Sequence, residues 1–182
     1  MRYELQLAGE GGQGLILAGV ILAEAAAIYE GKNAAQTQSY GPEARGGASK
    51  SEVVIADEEI DYPKVVEADL LLAMSQEACD KYFYELKKDG ILIIDSVNVD
   101  RAPSTRAYRV PMTRIAEEVT GRAITANVVA LGVIVGLTDV VTRRAIEQAV
   151  TARAPKGTQD LNLKALRAGF EAGEELKKQK AK

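Results

Sequence analysis

Tyr3-Glu4-Leu5-Gln6-Leu7-Ala8-Gly9-Glu10-Gly11-Gly12-Gln13-Gly14, running on into Leu15-Ile16-Leu17-Ala18, is the stretch on which the fold reading turns. Tyr3, Leu5 and Leu7 alternate with Glu4 and Gln6, the period of a strand. Gly9 ends that strand. From Gln13 to Ile28 the residues are good helix formers and apolar on most sides. Such a helix is buried against a sheet or a partner subunit. Gly19 and the alanines at 18, 23 and 25–27 offer it a small-residue surface for close approach, and Gly31 is a C-cap.

Strand, glycine turn and helix in that order fit the dinucleotide fingerprint, here Gly9-x-Gly11-x-x-Gly14. The first glycine makes the tight turn, the second admits a phosphate, and the third packs helix on sheet. The helix N-terminus then faces the anion. The acidic residue that should bind a ribose at the end of the second strand is missing. Glu30 stands at a helix end, and the second strand closes on Thr37-Gln38-Ser39. A standard NAD site is not expected. Three readings stay open: another nucleotide-bearing ligand, a turn packed on another subunit, and glycines that serve close packing alone.

One βα unit later comes Ser39-Tyr40-Gly41-Pro42-Glu43-Ala44-Arg45-Gly46-Gly47-Ala48-Ser49. That mix does not pack as a core element. Arg45 is flanked by small residues, so its guanidinium is free to pair bidentately with a phosphate or carboxylate. Tyr40 offers a flat face, and Ser39, Ser49 and Ser51 offer hydroxyls. The plainer alternative is an Arg45–Glu43 pair, or a pair of Arg45 with an aspartate, holding a surface loop.

The rest of the chain reads as further α/β units. Residues 51–56 alternate and end in the turn Asp57-Glu58-Glu59. Asp69–Met74 is a continuous apolar run, a strand buried on both faces. Ser75 caps a helix expected from Gln76 to Lys88, which Asp89-Gly90 ends. Ile91–Ile94 is another apolar strand, and residues 106–110 a short one. Thr113 is placed as the cap of a helix through Val119. Asn127–Leu137 is long enough to be a buried helix, and Thr142–Ala152 is an amphipathic one, with Thr142 or Asp139 available as its cap. A break at 154–160 precedes a final helix from Leu161 to Lys178. The expectation is one α/β domain over residues 1–182: Rossmann-like, three-layered, with a mostly parallel sheet and helices on both faces.

Composition narrows the chemistry. The chain has 182 residues, no histidine, one cysteine (Cys79) and a formal charge of -3. The missing histidine excludes Ser-His-Asp and Cys-His catalysis and histidine-ligated zinc within this chain. One thiol cannot hold a four-cysteine iron–sulfur cluster, and Cys79 reads as structural. No catalytic residue and no metal site are expected. No basic field points to nucleic acid, no apolar run is long enough to span a membrane, and no signal peptide precedes the first strand. Cytoplasmic location is the default.

The two glycine loops resemble those of the gamma subunit, or gamma domain, of the 2-oxoacid:ferredoxin oxidoreductase family. The likeness continues through Ile60-Asp61-Tyr62-Pro63, Asp69–Ser75, Asn127-Val128-Val129-Ala130-Leu131-Gly132, Lys156-Gly157-Thr158 and Asn162–Leu166 with Gly169. It covers nearly the whole chain and is strongest in Tyr40–Gly47. The stand-alone form most resembles the gamma chain of 2-oxoglutarate:ferredoxin oxidoreductases, also called 2-oxoglutarate synthases.

The resemblance implies a subunit inactive on its own. Thiamine diphosphate and iron–sulfur clusters would sit on alpha, beta and delta-type partner subunits, and electrons would pass to ferredoxin. It further implies coenzyme A contact, carried here to Gly9, Gly11, Gln13, Gly14, Tyr40, Gly41, Arg45 and Gly46. A stand-alone Rossmann-like nucleotide-binding protein is the competing reading. The apolar segments Gln13–Ile28 and Asn127–Leu137 predict a partner surface, part of which a homodimer of the isolated chain would hide.

Overall fold

The computed structural model describes residues 1–39 and 47–181. In chain order they form β1 (Arg2–Glu10), α1 (Leu15–Glu30), β2 (Asn33–Ser39), β3 (Ala48–Ala56), β4 (Ala68–Ala73) and α2 (Gln76–Tyr82). Then come β5 (Leu86–Asp95), β6 (Tyr108–Val110), α3 (Met112–Thr120), α4 (Ala126–Thr138), α5 (Arg143–Arg153) and α6 (Gln159–Lys180). Short 3-10 turns cover Phe83–Glu85 and Ala123–Thr125.

The strands make one sheet in the order β2-β3-β1-β4-β5-β6. β1, β4, β5 and β6 run parallel, while β3 is antiparallel to both β1 and β2. The expected mostly parallel α/β sheet is therefore present, with an antiparallel hairpin, β2-β3, on one flank. Leu5, Leu7, Val53, Leu70, Leu72 and Ile93 form one apolar face, continuous with the core under α1 and α3–α6. On the other face Ala78, Cys79 and Tyr82 of α2 pack with Leu71 and Ile94 in a smaller cluster. Helices thus lie on both faces, unequally.

That imbalance leaves β1's second side with unusual neighbours. Glu4 and Gln6 are buried although they alternate with the apolar positions. The Glu4 carboxylate accepts from Arg2 Nε (2.8 Å) and from the Val66 N–H (3.0 Å), pinning the β3–β4 connection over the sheet. Gln6 donates to Glu85 Oε2 (2.5 Å), which also receives Lys50 Nζ (2.6 Å). Burial works to lower the Lys50 pKa, but its contacts with Glu85 and Glu52 outweigh that and raise it.

Local signals explain most boundaries. Gly31 and Gly121 close α1 and α3 in the left-handed conformation. The Ser75 hydroxyl accepts from the Ala78 N–H and Thr142 from the Ala145 N–H, both N-caps as the sequence implies. Three expectations are corrected. The helix read from Gln76 to Lys88 stops at Tyr82 and gives way to a 3-10 turn. β5 then starts at Leu86, not Ile91, because Leu86 pairs with Ala68 and Lys87–Gly90 bulge outward before Ile91 pairs with Leu70. A strand partner overrides helix propensity there. Thr113 does not cap α3: Pro111 holds the cap position, and the Thr113 hydroxyl donates to the buried Asp95 at 2.5 Å.

The predicted partner surface also changes. Every α4 residue from Ala126 to Leu137 is buried within the chain, chiefly beneath α6 and α3. α1 is likewise covered at Gly19 by Ser51 and Val53 of β3, leaving Leu17, Ile28 and Tyr29 as its exposed large residues. α4 is apolar because the chain folds over it and offers no face to a partner, whereas α1 keeps those three apolar side chains at the surface. No helix of the described residues is long and apolar enough to cross a membrane.

Candidate functional site at the glycine turn

β1 and β4 are adjacent and parallel, but the helices that follow them lie on opposite faces of the sheet. The carboxyl ends of these strands therefore border the crevice in which open α/β sheets bind ligands. The glycine turn sits at its mouth. Glu10-Gly11-Gly12 is exposed, and the Gln13 N–H donates to the Glu10 carbonyl at 3.3 Å. Gly12 and Gly14 have φ of 92° and 74°, where an L side chain is strained.

The other end of the turn is held from within. Gln13 Oε1 accepts from the Glu10 N–H at 2.8 Å, and its Nε2 donates to the Met74 carbonyl at 3.0 Å. The Gln13 amide thus bridges the two strands and occupies the crevice. A Cβ on Gly9 would collide with Gln13 Oε1 and lie 2.6 Å from Leu15 Cδ1. Asn127 of α4 donates to the Gly14 carbonyl at 3.1 Å, and a Cβ on Gly14 would lie 2.6 Å from its Nδ2. Gly11 differs. A Cβ there would meet nothing within 4 Å, and its φ lies outside the left-handed region. The fold itself does not require glycine at 11.

No side chain caps α1, so the first-turn N–H groups of Leu15, Ile16 and Leu17 are left to face an outside acceptor. Register places this turn beside the second loop's anchors. Glu10 pairs with Ala48, Gly9 with Ser49, and Ser39 with Lys50. The strand ends that bracket the 40–46 connection therefore adjoin the glycine turn. Tyr40, Gly41, Arg45 and Gly46 lie outside the described residues.

Glu30 is engaged elsewhere. Its carboxylate accepts from the Thr142 N–H at the start of α5 and pairs with Lys32 at 3.2 Å. Burial works to raise its pKa, but those hydrogen bonds prevail and hold it below the ordinary value. It is a clasp between α1 and α5, not a ribose ligand. Cys79 is fully buried, and burial together with Asp80 raises its thiol pKa, as suits a structural role. Among the described residues no group of acidic or cysteine side chains could hold a metal ion. Two elements of the site escaped the sequence reading: the Gln13–Met74 bridge and the Asn127–Gly14 contact. Both join residues distant in sequence, so local pattern carries no signal for them.

The model of the pyruvate ferredoxin/flavodoxin oxidoreductase family matches residues 4–172. The chain belongs to that family. A 2-oxoglutarate synthase subunit KorC of Methanocaldococcus jannaschii is 51% identical over 97% of this chain and 96% of its own length. The gamma subunit of a keto/oxoacid ferredoxin oxidoreductase from Geobacter sulfurreducens superposes with a TM-score of 0.88 at 50% identity, covering 96% of this chain and 98% of that one. A 2-oxoglutarate:ferredoxin oxidoreductase of Magnetococcus marinus, solved with 2-oxoglutarate, coenzyme A and succinyl-CoA, shares the fold at a TM-score of 0.84 and 23% identity. There this chain covers 96% of itself but 31% of the larger one. The same fold thus occurs both as a separate chain and inside a longer one.

Proposed function

We propose that the chain is the gamma subunit of a 2-oxoglutarate:ferredoxin oxidoreductase, and that its glycine turn contacts coenzyme A. The observation that carries the subunit reading is the near-complete, 51% identical match to a 2-oxoglutarate synthase subunit of similar length. The whole enzyme converts a 2-oxoacid and coenzyme A into an acyl-coenzyme A and carbon dioxide, and two electrons pass to ferredoxin. Thiamine diphosphate and the iron–sulfur clusters belong, on this reading, to alpha, beta and delta-type partners in the cytoplasm. A chain without histidine and with one buried cysteine suits a supporting role.

The coenzyme contact rests on Gly11 and the uncapped α1 N-terminus. Gly11 is exposed and its lack of a side chain serves nothing inside the fold, whereas a bare backbone lets a phosphate or pantetheine chain come close. Gly12 and the α1 N–H groups adjoin it. Gln13 and Gly14 shape the turn from behind, Gly9 makes room for Gln13, and Arg45, with Tyr40, Gly41 and Gly46, is assigned to the same ligand.

The test is the reconstituted complex carrying Gly11→Ala or Arg45→Ala. Each raises the apparent KM for coenzyme A by about tenfold, equivalent to ~1.4 kcal/mol. Wild-type coenzyme A dependence and turnover in both variants would sink the contact while leaving the subunit reading intact.

A further inference from the structure

At the other end of β4 from the glycine turn, a groove of about 800 Å³ opens beyond the outer edge of β5. Its walls are the Phe83–Gly90 segment, the connection at 103–108 and the end of α6. The floor is apolar, with Leu92, Ala107 and Leu176. β6 begins only opposite Ile93, so the outer backbone edge of Ile91 and Leu92 has no strand partner among the described residues.

The rim is charged and aromatic. Lys87, Lys88, Arg106 and Lys180 line the groove against one acid, Asp89, in a chain whose 26 acidic residues outnumber its 23 basic ones. Lys87 is tied to Asp69 at 2.7 Å. Lys88 and Arg106 have no ion pair among the described residues, and the Lys180 ammonium stands 6.0 Å from the Tyr108 ring centre. Tyr84 is 86% exposed and is held edge-on by Phe83, with centroids 6.0 Å apart. An exposed, propped tyrosine lining the same groove as an unpaired arginine has the composition of an interface anchor. The fold gains nothing by leaving that ring in water.

We propose that this groove docks an acidic, extended segment of a partner subunit of the oxidoreductase, with an apolar side chain seated between Tyr84 and Tyr108. The charge argument selects the occupant: these local cations attract an acidic segment and repel the same groove of a second copy, which disfavours a symmetric groove-on-groove pairing. The open backbone edge at Ile91 and Leu92 suits an extended segment rather than a helix. The proposal rests on the subunit reading above and places the contact at a surface separate from the glycine turn.

The experiment measures binding of the purified chain to the co-expressed remaining subunits. Variants are Lys88→Glu with Arg106→Glu, Tyr84→Ala, and Lys164→Glu as a distant control; all four residues are exposed, and melting of each isolated chain checks folding. At low salt the double reversal and Tyr84→Ala each weaken binding at least tenfold, while Lys164→Glu does not. The loss from charge reversal shrinks as salt is raised, because exposed charges are screened beyond about 10 Å at 0.1 M. Amides at 83–92 and 103–108 become protected from hydrogen exchange on assembly. Affinities within twofold of wild type for both groove variants, with those amides exchanging unchanged, overturn the proposal. Protection of the same amides in the concentrated isolated chain would assign the groove to a second copy and overturn it as well. A wild-type chain that never joins the other subunits would instead remove the subunit reading.

Discussion

Gly132 of α4 and Gly169 of α6 cross backbone to backbone: a Cβ built on either would lie 2.8 Å from the Cα of the other. Gly136 and Gly173 repeat the arrangement one turn on, where a Cβ on Gly173 would lie 3.0 Å from the Gly136 carbonyl carbon. α6 can cover α4 this closely only because four glycines leave its path clear. We expect Gly132→Ala or Gly169→Ala to destabilise the chain by about 1–3 kcal/mol, since the obstructing atoms are backbone and cannot swing aside. Denaturant unfolding measures this, and a variant as stable as wild type would show that the crossing is looser than described.

The glycines of the turn should separate stability from function. Gly11→Ala has space and an ordinary φ, so the isolated chain keeps its melting temperature or gains about 0.4–1 kcal/mol from reduced unfolded-state freedom. Gly14→Ala meets Asn127 and a φ of 74°, and should cost about 1–2 kcal/mol. Thermal melts of the two variants side by side give the comparison. Equal losses would mean that Gly11 is structural after all.

Cys79 should stay unreactive toward a thiol reagent at pH 8 in the folded chain and react fully in denaturant. It has no exposed surface, and burial raises its pKa, so little thiolate forms. Rapid labelling of the native protein would contradict its placement on the sheet-facing side of α2.

Glu30 gives the fold a pH dependence with a defined sign. Its folded pKa lies below the unfolded value, so the clasp on Thr142 contributes fully above the unfolded pKa of about 4.5. That contribution is lost as pH falls through the depressed folded pKa. Glu30→Gln should therefore be less stable than wild type at pH 7, and the gap should close below pH 4. A constant gap from pH 7 to pH 3 would show that the carboxylate charge plays no part.

Much of this was readable along the chain. The alternation at Tyr3–Leu7, the glycines after it, the caps at Ser75 and Thr142 and the apolar run Asp69–Met74 are local signals, and each led to the right kind of element. The helix past Tyr82 was misread because Leu86 is recruited by Ala68, a residue 18 positions earlier, and no local pattern records that. Glu4 and Gln6 are the polar positions of the β1 alternation, yet both are buried, Glu4 under the β3–β4 connection and Gln6 against Glu85.

By itself the sequence determined that no histidine and a single cysteine are at hand, because residues that are absent cannot be supplied by folding. It also determined the order of strand, turn and helix, which follows from side-chain period and backbone freedom. Only the tertiary structure decided what the apolar helices are for. α4 is consumed inside the core by the glycine crossing with α6, and Gln13 closes the crevice by reaching Met74. Both outcomes depend on contacts between distant residues, where hydrophobicity says that a surface will be buried but not by what.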